Sequence, residues 1–317
     1  MHETVKWSAN DRKSMIERLK LLGIINQHGL LKASLDDIVS TAVCCHEGLD
    51  KALAGIGGAE LEGALARLRE GERSAVLWKG ACTDHPQCDT PYRGLQSLSA
   101  LKLPSSSFPI DSAALIVAAS LKPRSINSQQ NIDSFGTDLK VPSLPFHIDR
   151  GSHFTILACL RSNDVRSNAL LDFNHLASLV ARPALLFDQA FFNAQEQKNN
   201  PELFAILEHE ERGNRFVLSK DLIDRRGTFE CGCLSSPSSE HRLALEDLTL
   251  QIRSFDELLF DETTEQRKVT QKVLDKVCLD AGDLLIINNR IALHGRYAGC
   301  LSDPTQNRWL RVVFMEA

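Results

Sequence analysis

The stretch GDLLIINNRIALHGR, residues 282–296, decides the fold prediction. A turn at Gly282 leads into the apolar, partly β-branched run LLII, which is typical of a buried β-strand. His294 follows this strand closely, so we expect its imidazole near the end of a strand in the core. A histidine in such a place becomes informative when other metal-ligating side chains join it.

The segment FHIDR supplies two such side chains, His147 and Asp149. Residues i and i+2 of a β-strand point to the same side, so the imidazole and the carboxylate would face one point. If their strand faces the strand before His294 across a barrel, the three form a facial triad with open positions, typical of non-haem iron(II) oxygenases. Alternatively, His147 and Asp149 form a hydrogen-bonded structural pair and His294 caps a turn.

Arg308 strengthens the first interpretation, because it follows His294 by fourteen positions (308 − 294 = 14). A buried arginine on the next strand could bind a dicarboxylate through two parallel hydrogen bonds. A cupin-type metal site without a dicarboxylate cosubstrate has no need of an arginine there.

The rest of the pattern predicts one domain, residues 1–317, of strands with helical additions. Residues 125–144 read as polar and turn-rich, and residues 188–240 as an insertion that acts as a lid. Strands are predicted at SAVLWKG, FTILACL, AGDLLIINN and RWLRVVFME. The N-terminal part (1–73) is predicted to be helical, with its helices within residues 11–71. Further helices are predicted at 111–121 and in LARPALLF, LALEDLTLQIRSFDELLF and TTEQRKVTQKVLDKVCL.

The bulk composition limits the function classes. The 317 residues are 43% hydrophobic and 24% charged with a net charge of −5, so no basic surface for nucleic acid is indicated. The N-terminus is polar and no apolar run approaches the roughly 20 residues of a membrane span. We therefore expect a cytoplasmic protein with a small-molecule partner, no nucleic acid and no membrane. The oligomeric state cannot be predicted.

The nine cysteines are predicted to be reduced thiols, because their number is odd and no export signal is present. The alternative is a structural zinc site. Its spacing departs from the usual zinc-binding patterns. Its ligands would come from Cys82, His85, Cys88, Cys231 and Cys233.

The strand and ligand blocks together resemble the clavaminate synthase-like branch of the taurine-dioxygenase superfamily, which includes hydroxylases of free asparagine, arginine and lysine. The resemblance spans most of the chain, and the order and spacing of the last four blocks make it specific. It implies a double-stranded β-helix (jelly-roll) core flanked by helices. The matching blocks are LWKG (77–80), FHIDR (146–150), ILACLRS (156–162), GDLLIINNRIALHGR (282–296) and RWLRVVF (308–314).

The resemblance also implies site residues. His147, Asp149 and His294 correspond to the Fe(II) ligands, and Arg308 to the arginine that binds the C5 carboxylate of 2-oxoglutarate. Arg296 would lie near the cosubstrate or the substrate. The family often has a threonine for 2-oxoglutarate where this chain has Leu170, so Asn168 is a candidate substitute. The family's second arginine stands one position after Arg311, to which no role is given.

The implied activity is Fe(II)- and 2-oxoglutarate-dependent hydroxylation of an unactivated C–H bond, with O2 consumed and succinate and CO2 released. The substrate would be a free L-amino acid or a similar small amine-bearing acid. A carrier-bound or peptide substrate, desaturation, and a non-catalytic jelly-roll or cupin-type metal-binding module stay open as alternatives. Asp149 favours hydroxylation or desaturation over halogenation, since related halogenases lack this carboxylate.

Several remaining polar residues receive weaker predictions. His153 could line the pocket, whereas His175 and His209 are expected at surface or structural positions. Asn288 and Asn289 are expected to satisfy backbone groups of a turn. Acidic lid residues such as Asp188 or Asp224 could recognise a basic substrate side chain.

Overall fold

The computed structural model describes residues 2–27, 32, 55–81, 109–132, 140–141, 143–149, 152–162, 167–194, 203–210, 213–216, 234–260, 274–300 and 308–316. These residues form five α-helices: α1 (Ala9–Leu21), α2 (Gly58–Arg69), α3 (Pro109–Leu121), α4 (Phe173–Leu179) and α5 (Ser239–Phe260). A 3-10 helix spans Pro183–Phe187. The strands of the described residues are β1 (His2–Lys6), β2 (Ala75–Lys79), β3 (Ser125–Ile132), β4 (Lys140–Val141), β5 (Leu144–His147), β6 (Phe154–Arg161), β7 (Ser167–Asp172), β8 (Phe192–Asn193), β9 (Leu207–Glu210), β10 (Gly213–Phe216), β11 (Leu234–Ser235), β12 (Leu274–Cys278), β13 (Leu284–Asn288), β14 (Ala292–Arg296), β15 (Gly299–Cys300) and β16 (Trp309–Glu316).

Two sheets packed face to face form the core. The large sheet has the strand order β1-β2-β13-β6-β16-β3 and the small sheet the order β12-β7-β14-β5. Their inner faces share one apolar core, to which the large sheet gives Leu157 and Val312 and the small sheet gives Leu170. This arrangement confirms the predicted jelly-roll core flanked by helices, as two facing sheets and not a closed barrel.

Helices cover the outer face of each sheet. Helices α1, α2 and α3 pack on the large sheet through a second core, and α4 and α5 pack on the small sheet through a third. Strand β16 shows the period of two that this layering requires. Its Val312 points to the inner core, whereas Val313 and Met315 point to the helices.

Several predicted elements are confirmed where the structure describes them. Strands β2, β6, β13 and β16 lie in the predicted segments, and so do helices α3 and α5. The helix predicted in LARPALLF is the short 3-10 helix Pro183–Phe187.

Three strands contradict the predictions. The segment 125–144, read as turn-rich, begins with the eight-residue strand β3, and the N-terminal part begins with strand β1. Both are edge strands of the large sheet, where backbone pairing with β16 and β2 stabilises a polar sequence. Strand β12 lies in a segment predicted as helix. Leu274 and Val277 have a helical spacing of three, but they face two different cores on opposite sides of the strand.

Other predictions fall wholly or partly outside the described residues. All five residues of the alternative zinc site lie there, as do many residues of the insertion 188–240, whose described part contains β8 to β11. Within the described residues, neither Cys159 nor Cys278 forms a disulfide, and Cys159 Sγ lies 3.8 Å from the carbonyl oxygen of Leu279. Among the described helices, none combines the length and the apolar character needed to cross a bilayer.

Candidate metal centre

Neighbouring strands of the small sheet bring His147 and His294 together. Strand β5 ends at His147, strand β14 carries His294, and the two residues are directly paired in the antiparallel register. His294 does not follow directly on strand β13, which belongs to the large sheet, but lies on the next strand, β14, beside β5. The Cβ atoms of directly paired residues on adjacent antiparallel strands are only about 5 Å apart. The two imidazole rings accordingly lie 4.2 Å apart between centroids.

Asp149 completes the cluster two residues after the end of β5. Its Oδ2 lies 3.3 Å from His294 Nε2 and its Oδ1 lies 4.0 Å from His147 Nε2. One ligand atom from each of the three residues lies within 4.8 Å of the others. Ligand atoms about 2.0–2.2 Å from a divalent ion and at right angles to each other are roughly 3 Å apart. The three side chains thus fit a metal ion after small side-chain adjustments.

The protonation states also suit a metal. Burial, followed by the nearby His294, lowers the pKa of His147 to about 4. Burial on its own would raise the pKa of Asp149, but the charge and hydrogen bond of His294, with His147 and Thr155, outweigh it and lower that pKa to about 2. At neutral pH the site therefore holds a neutral His147 and an ionised Asp149, the forms that bind metal.

The backbone fixes which nitrogen of His147 is available. His147 Nδ1 lies 2.8 Å from the carbonyl oxygen of Pro145. A carbonyl oxygen only accepts, so Nδ1 carries the proton and Nε2 keeps its lone pair toward Asp149 and His294. Metal-binding histidines are typically held by such a second hydrogen bond.

The predicted cosubstrate residues also come together on the inner faces of the sheets. Arg308 is 2% exposed, and its Nη1 donates to Asn168 Oδ1 at 3.4 Å. Asn168 is directly paired with Arg296 in the register of β7 and β14. Arg296 lies two residues after His294 and so shares its inward-facing side. Two guanidinium groups therefore lie next to the ligand-bearing strand, an environment suited to a carboxylate anion.

Arg311 lies on the opposite face of the large sheet. Its Nε is 3.3 Å from Asp111 Oδ1 of helix α3, and both side chains are buried. Position 312, where the resemblance implies a second arginine, holds a valine packed in the inner core. The structure agrees with assigning Arg311 no role in the site.

Two of the weaker candidates, His153 and Asp188, interact with residues outside the triad. Burial, with the nearby Arg290 and Arg124, lowers the pKa of His153, and Glu316 acts to raise it. None of these residues is a member of the triad. Asp188 pairs with His241 of helix α5, their Oδ2 and Nε2 being 2.9 Å apart.

Among the remaining histidine and acidic candidates, His175 is the one whose side chain the structure describes. His175 lies half-buried on α4, where its backbone N–H donates to Asp172. The side chain of His209 and the whole of Asp224 fall outside the described part of the chain.

The two adjacent asparagines behave differently. Asn288 accepts the backbone N–H of Arg290 and donates to the carbonyl of Leu68, so the turn prediction is confirmed for it. Asn289 instead donates to Ser152 O and to Thr155 Oγ1, and Thr155 donates to Asp149. No sequence motif predicted this contact with the triad. The available signal was the period of two in β6, which places Thr155 on the same face as the core residue Leu157.

Comparison with known proteins shows the fold. No family model and no curated protein sequence matches the chain. Among solved structures, a crystal structure of asparagine oxygenase has 16% identity and a TM-score of 0.64, covering 99% of this chain and 92% of that chain. Asparagine oxygenase in complex with Fe(II), 2S,3S-3-hydroxyasparagine and succinate has 15% identity and a TM-score of 0.62, covering 99% of this chain and 93% of that chain. The non-heme iron oxygenase OrfP in complex with Fe and L-canavanine has 15% identity and a TM-score of 0.61, covering 99% of this chain and 94% of that chain.

Proposed function

We propose that the protein is an Fe(II)- and 2-oxoglutarate-dependent dioxygenase that hydroxylates an unactivated C–H bond of a free L-amino acid or a similar small amine-bearing acid. One observation carries the proposal. Two histidines and one carboxylate, the ligand set of a facial triad, face the space between the two sheets. A buried arginine suited to a dicarboxylate contacts Asn168 of the same sheet that carries the histidines.

Different residues of the protein would hold the metal and bind the cosubstrate. His147, Asp149 and His294 would hold the metal, and at neutral pH His147 is neutral and Asp149 is ionised, the forms that bind a metal. When bound, iron with 2-oxoglutarate and O2 supplies the oxidising power that converts a C–H bond to C–OH, while succinate and CO2 are released. Arg308 would bind the distal carboxylate, and its burial strengthens the charge-assisted hydrogen bonds.

Asn168 is better suited to orient Arg308 than to bind the cosubstrate itself. Its Oδ1 accepts from Arg308 and its Nδ2 donates to the carbonyl of Val277 at 3.4 Å. Both ends of the amide are thus engaged with the protein. Arg296 remains the second candidate for contact with the cosubstrate or the substrate.

The substrate class is supported by the solved structures of the same fold. Asparagine oxygenase is described with hydroxyasparagine, and OrfP with (3S)-hydroxy-L-Arg and with L-canavanine. A free amino acid is therefore the first substrate to test, before carrier-bound or peptide substrates. Buried Arg308 beside Asn168 argues against a cupin-type module, which needs no dicarboxylate site. A single domain, a lid at residues 188–240 and a cytoplasmic location remain predictions.

The proposal is tested by measuring succinate formed from 2-oxoglutarate with Fe(II), ascorbate and O2 across a panel of free L-amino acids. We expect one amino acid to stimulate succinate release and to gain one oxygen atom by mass spectrometry. His294→Ala should abolish both signals. His175→Ala, a half-buried histidine on α4 outside the cluster, serves as the matched control and should keep them.

Two other outcomes are informative. Slow succinate release that requires His294 but no amino acid would retain the oxygenase and move the search to tethered substrates. Absence of any turnover in a metal-loaded protein would overturn the proposed function and favour a binding module.

A further inference from the structure

Two fully buried polar side chains connect the Asp149 carboxylate to the turn between β13 and β14. Thr155 on β6 and Asn289 in that turn are both 0% exposed. Thr155 Oγ1 donates to Asp149 Oδ2, and Asn289 Nδ2 donates to Thr155 Oγ1 at 2.9 Å. The turn also leads into β14, the strand that carries His294, so the contacts link both ligand-bearing segments.

The direction of these hydrogen bonds is fixed by an acceptor at one end. The carbonyl oxygen of Ser152 lies 3.0 Å from Asn289 Nδ2 and can only accept. The amide nitrogen must therefore face Ser152 and Thr155. Since Thr155 accepts from this nitrogen, its single hydroxyl proton is free to be donated to Asp149.

A second hydroxyl nearby does not reverse this direction. Ser152 Oγ lies 3.4 Å from Thr155 Oγ1, but it gives its own proton to the carbonyl oxygen of Phe154 at 2.6 Å. The shorter, charge-assisted contact with the Asp149 carboxylate is the favoured destination for the Thr155 proton.

Packing alone does not account for Asn289. Within the described part of the chain, its buried Oδ1 has no hydrogen-bond partner. An unsatisfied buried acceptor destabilises the folded protein, so an apolar residue would serve packing better. The amide nitrogen must contribute something that an apolar side chain cannot.

We propose that Thr155 and Asn289 are positioning residues that act through Asp149, holding its carboxylate by Oδ2 in one orientation toward the metal. This inference rests on the metal site of the proposed function. A carboxylate free to rotate could offer both oxygens to the ion and occupy a position that 2-oxoglutarate or O2 needs. Outer hydrogen bonds of this kind orient ligands and set metal affinity.

The test uses Co(II) alone as the metal probe, so it requires no turnover. The dissociation constant and the visible absorption of bound Co(II) are measured for the wild type, Thr155→Val and Thr155→Ser. Loss of an outer hydrogen bond typically weakens metal affinity about 10–100-fold. We expect that weakening and a changed Co(II) spectrum for Thr155→Val, with both restored in Thr155→Ser, which keeps the hydroxyl.

Adjacent asparagines give a matched pair of controls. Asn289→Ala should weaken Co(II) binding and change the spectrum. Asn288→Ala removes an equally buried amide that bonds to Leu68 O and Arg290 N instead, and should leave both readouts unchanged. Thermal unfolding followed by circular dichroism identifies any variant that fails to fold; the remaining variants then decide the question.

Each outcome either supports or overturns the inference. Wild-type affinity and spectrum in Thr155→Val or Asn289→Ala would overturn it, and so would equal losses in Asn288→Ala and Asn289→Ala. If the wild type does not bind Co(II), both the inference and the metal site fail. If Co(II) binds as described but no 2-oxoglutarate is consumed with Fe(II), the proposed function fails and the positioning role stands.

Discussion

Arg308 and Arg311 lie three positions apart, yet their side chains reach opposite faces of the large sheet. Arg308 contacts Asn168 on the inner side, and Arg311 contacts Asp111 on the helical side. The alternation of side chains along a strand explains the difference. The same parity separates Asn288 from Asn289, so residue type alone does not decide which polar side chain belongs to the site.

The first prediction concerns the cosubstrate. Arg308→Lys should raise the KM for 2-oxoglutarate on the order of 10-fold, because lysine keeps the charge but loses the two-pronged hydrogen bonding. Succinate release at varied 2-oxoglutarate concentration measures this. Arg311→Lys, the matched control on the other face, should leave that KM unchanged. An unchanged KM in Arg308→Lys would remove this arginine from the cosubstrate site.

At the scale of the element, the close approach of β5 and β14 depends on Gly295. A Cβ built at this position would lie 2.9 Å from the carbonyl oxygen of Leu144 and 3.1 Å from a methyl carbon of Leu259. The carbonyl belongs to β5, and the register between the two strands shifts at this place. The glycine of the HGR sequence is thus needed so that the two histidine-bearing strands can meet.

Gly295→Ala is therefore expected to lower the free energy of unfolding by about 1–3 kcal/mol, the usual cost of overpacking. It should also weaken Co(II) binding, since the strands of both histidines must move apart. Gly63→Ala on helix α2 is the control. Among the described residues, its Cβ would meet only the Arg67 side chain, and alanine favours a helix. Equal effects of the two substitutions would contradict this view of β5 and β14.

Helix α5 stabilises the free edge of the small sheet through Asp256. Its Oδ1 accepts the backbone N–H of Phe146 at 2.6 Å, one residue before His147. Burial raises the pKa of Asp256 to about 6, although this hydrogen bond and Arg253 act to lower it. The folded protein therefore binds a proton at Asp256 more readily than the unfolded chain does.

The sign of the pH effect follows from the raised pKa. The proton on Asp256 stabilises the fold fully below the ordinary value of 3.8, and this contribution is lost as the pH rises through about 6. Asp256→Asn keeps an oxygen acceptor and carries no charge. Its Tm should exceed that of the wild type at pH 8, with a smaller difference at pH 5. Asp256→Ala, which leaves the N–H without this acceptor, should lower Tm at both values. A pH-independent difference for Asp256→Asn would contradict the prediction.

In the whole molecule, three cores are stacked across two sheets, and one buried and one partly buried polar contact join the layers. Asp111 of α3 and Arg311 of β16 link the outer helices to the large sheet. His2 of β1 contacts Asp275 of β12 through both its backbone N–H and its ring, which links the large sheet to the small one. Neither contact belongs to the site, so both bear on stability rather than on the reaction.

Breaking the Asp111–Arg311 pair from one side should be costly. Arg311→Met is expected to destabilise the protein by about 3–5 kcal/mol, because it leaves a buried carboxylate without its charged partner. The double variant Asp111→Leu/Arg311→Met should recover much of that loss, since neither charge of the buried pair remains. Denaturant unfolding of the two variants measures the difference. Additive losses in the double variant would show that the ion pair is not the relevant contact.

Much of the core could be predicted from the sequence because it depends on local patterns. Strands β2, β6, β13 and β16 carry apolar runs that remain visible whichever neighbours they have. The choice of His147, Asp149 and His294 as candidate ligands came from side-chain chemistry and spacing, and the structure brings the three together. The jelly-roll core was implied by the family resemblance that these blocks carry.

Tertiary structure alone decided the features that depend on a partner. The polar strands β1 and β3 are strands because sheet edges offer them backbone hydrogen bonds, and β12 is a strand because each of its faces meets a different core. The same holds for the direct pairing of the two histidines. The sequence determined which side chains could bind a metal. Only the strand order determined that His147 and His294 are neighbours, since pairing between distant segments follows from packing the whole chain and not from any local pattern.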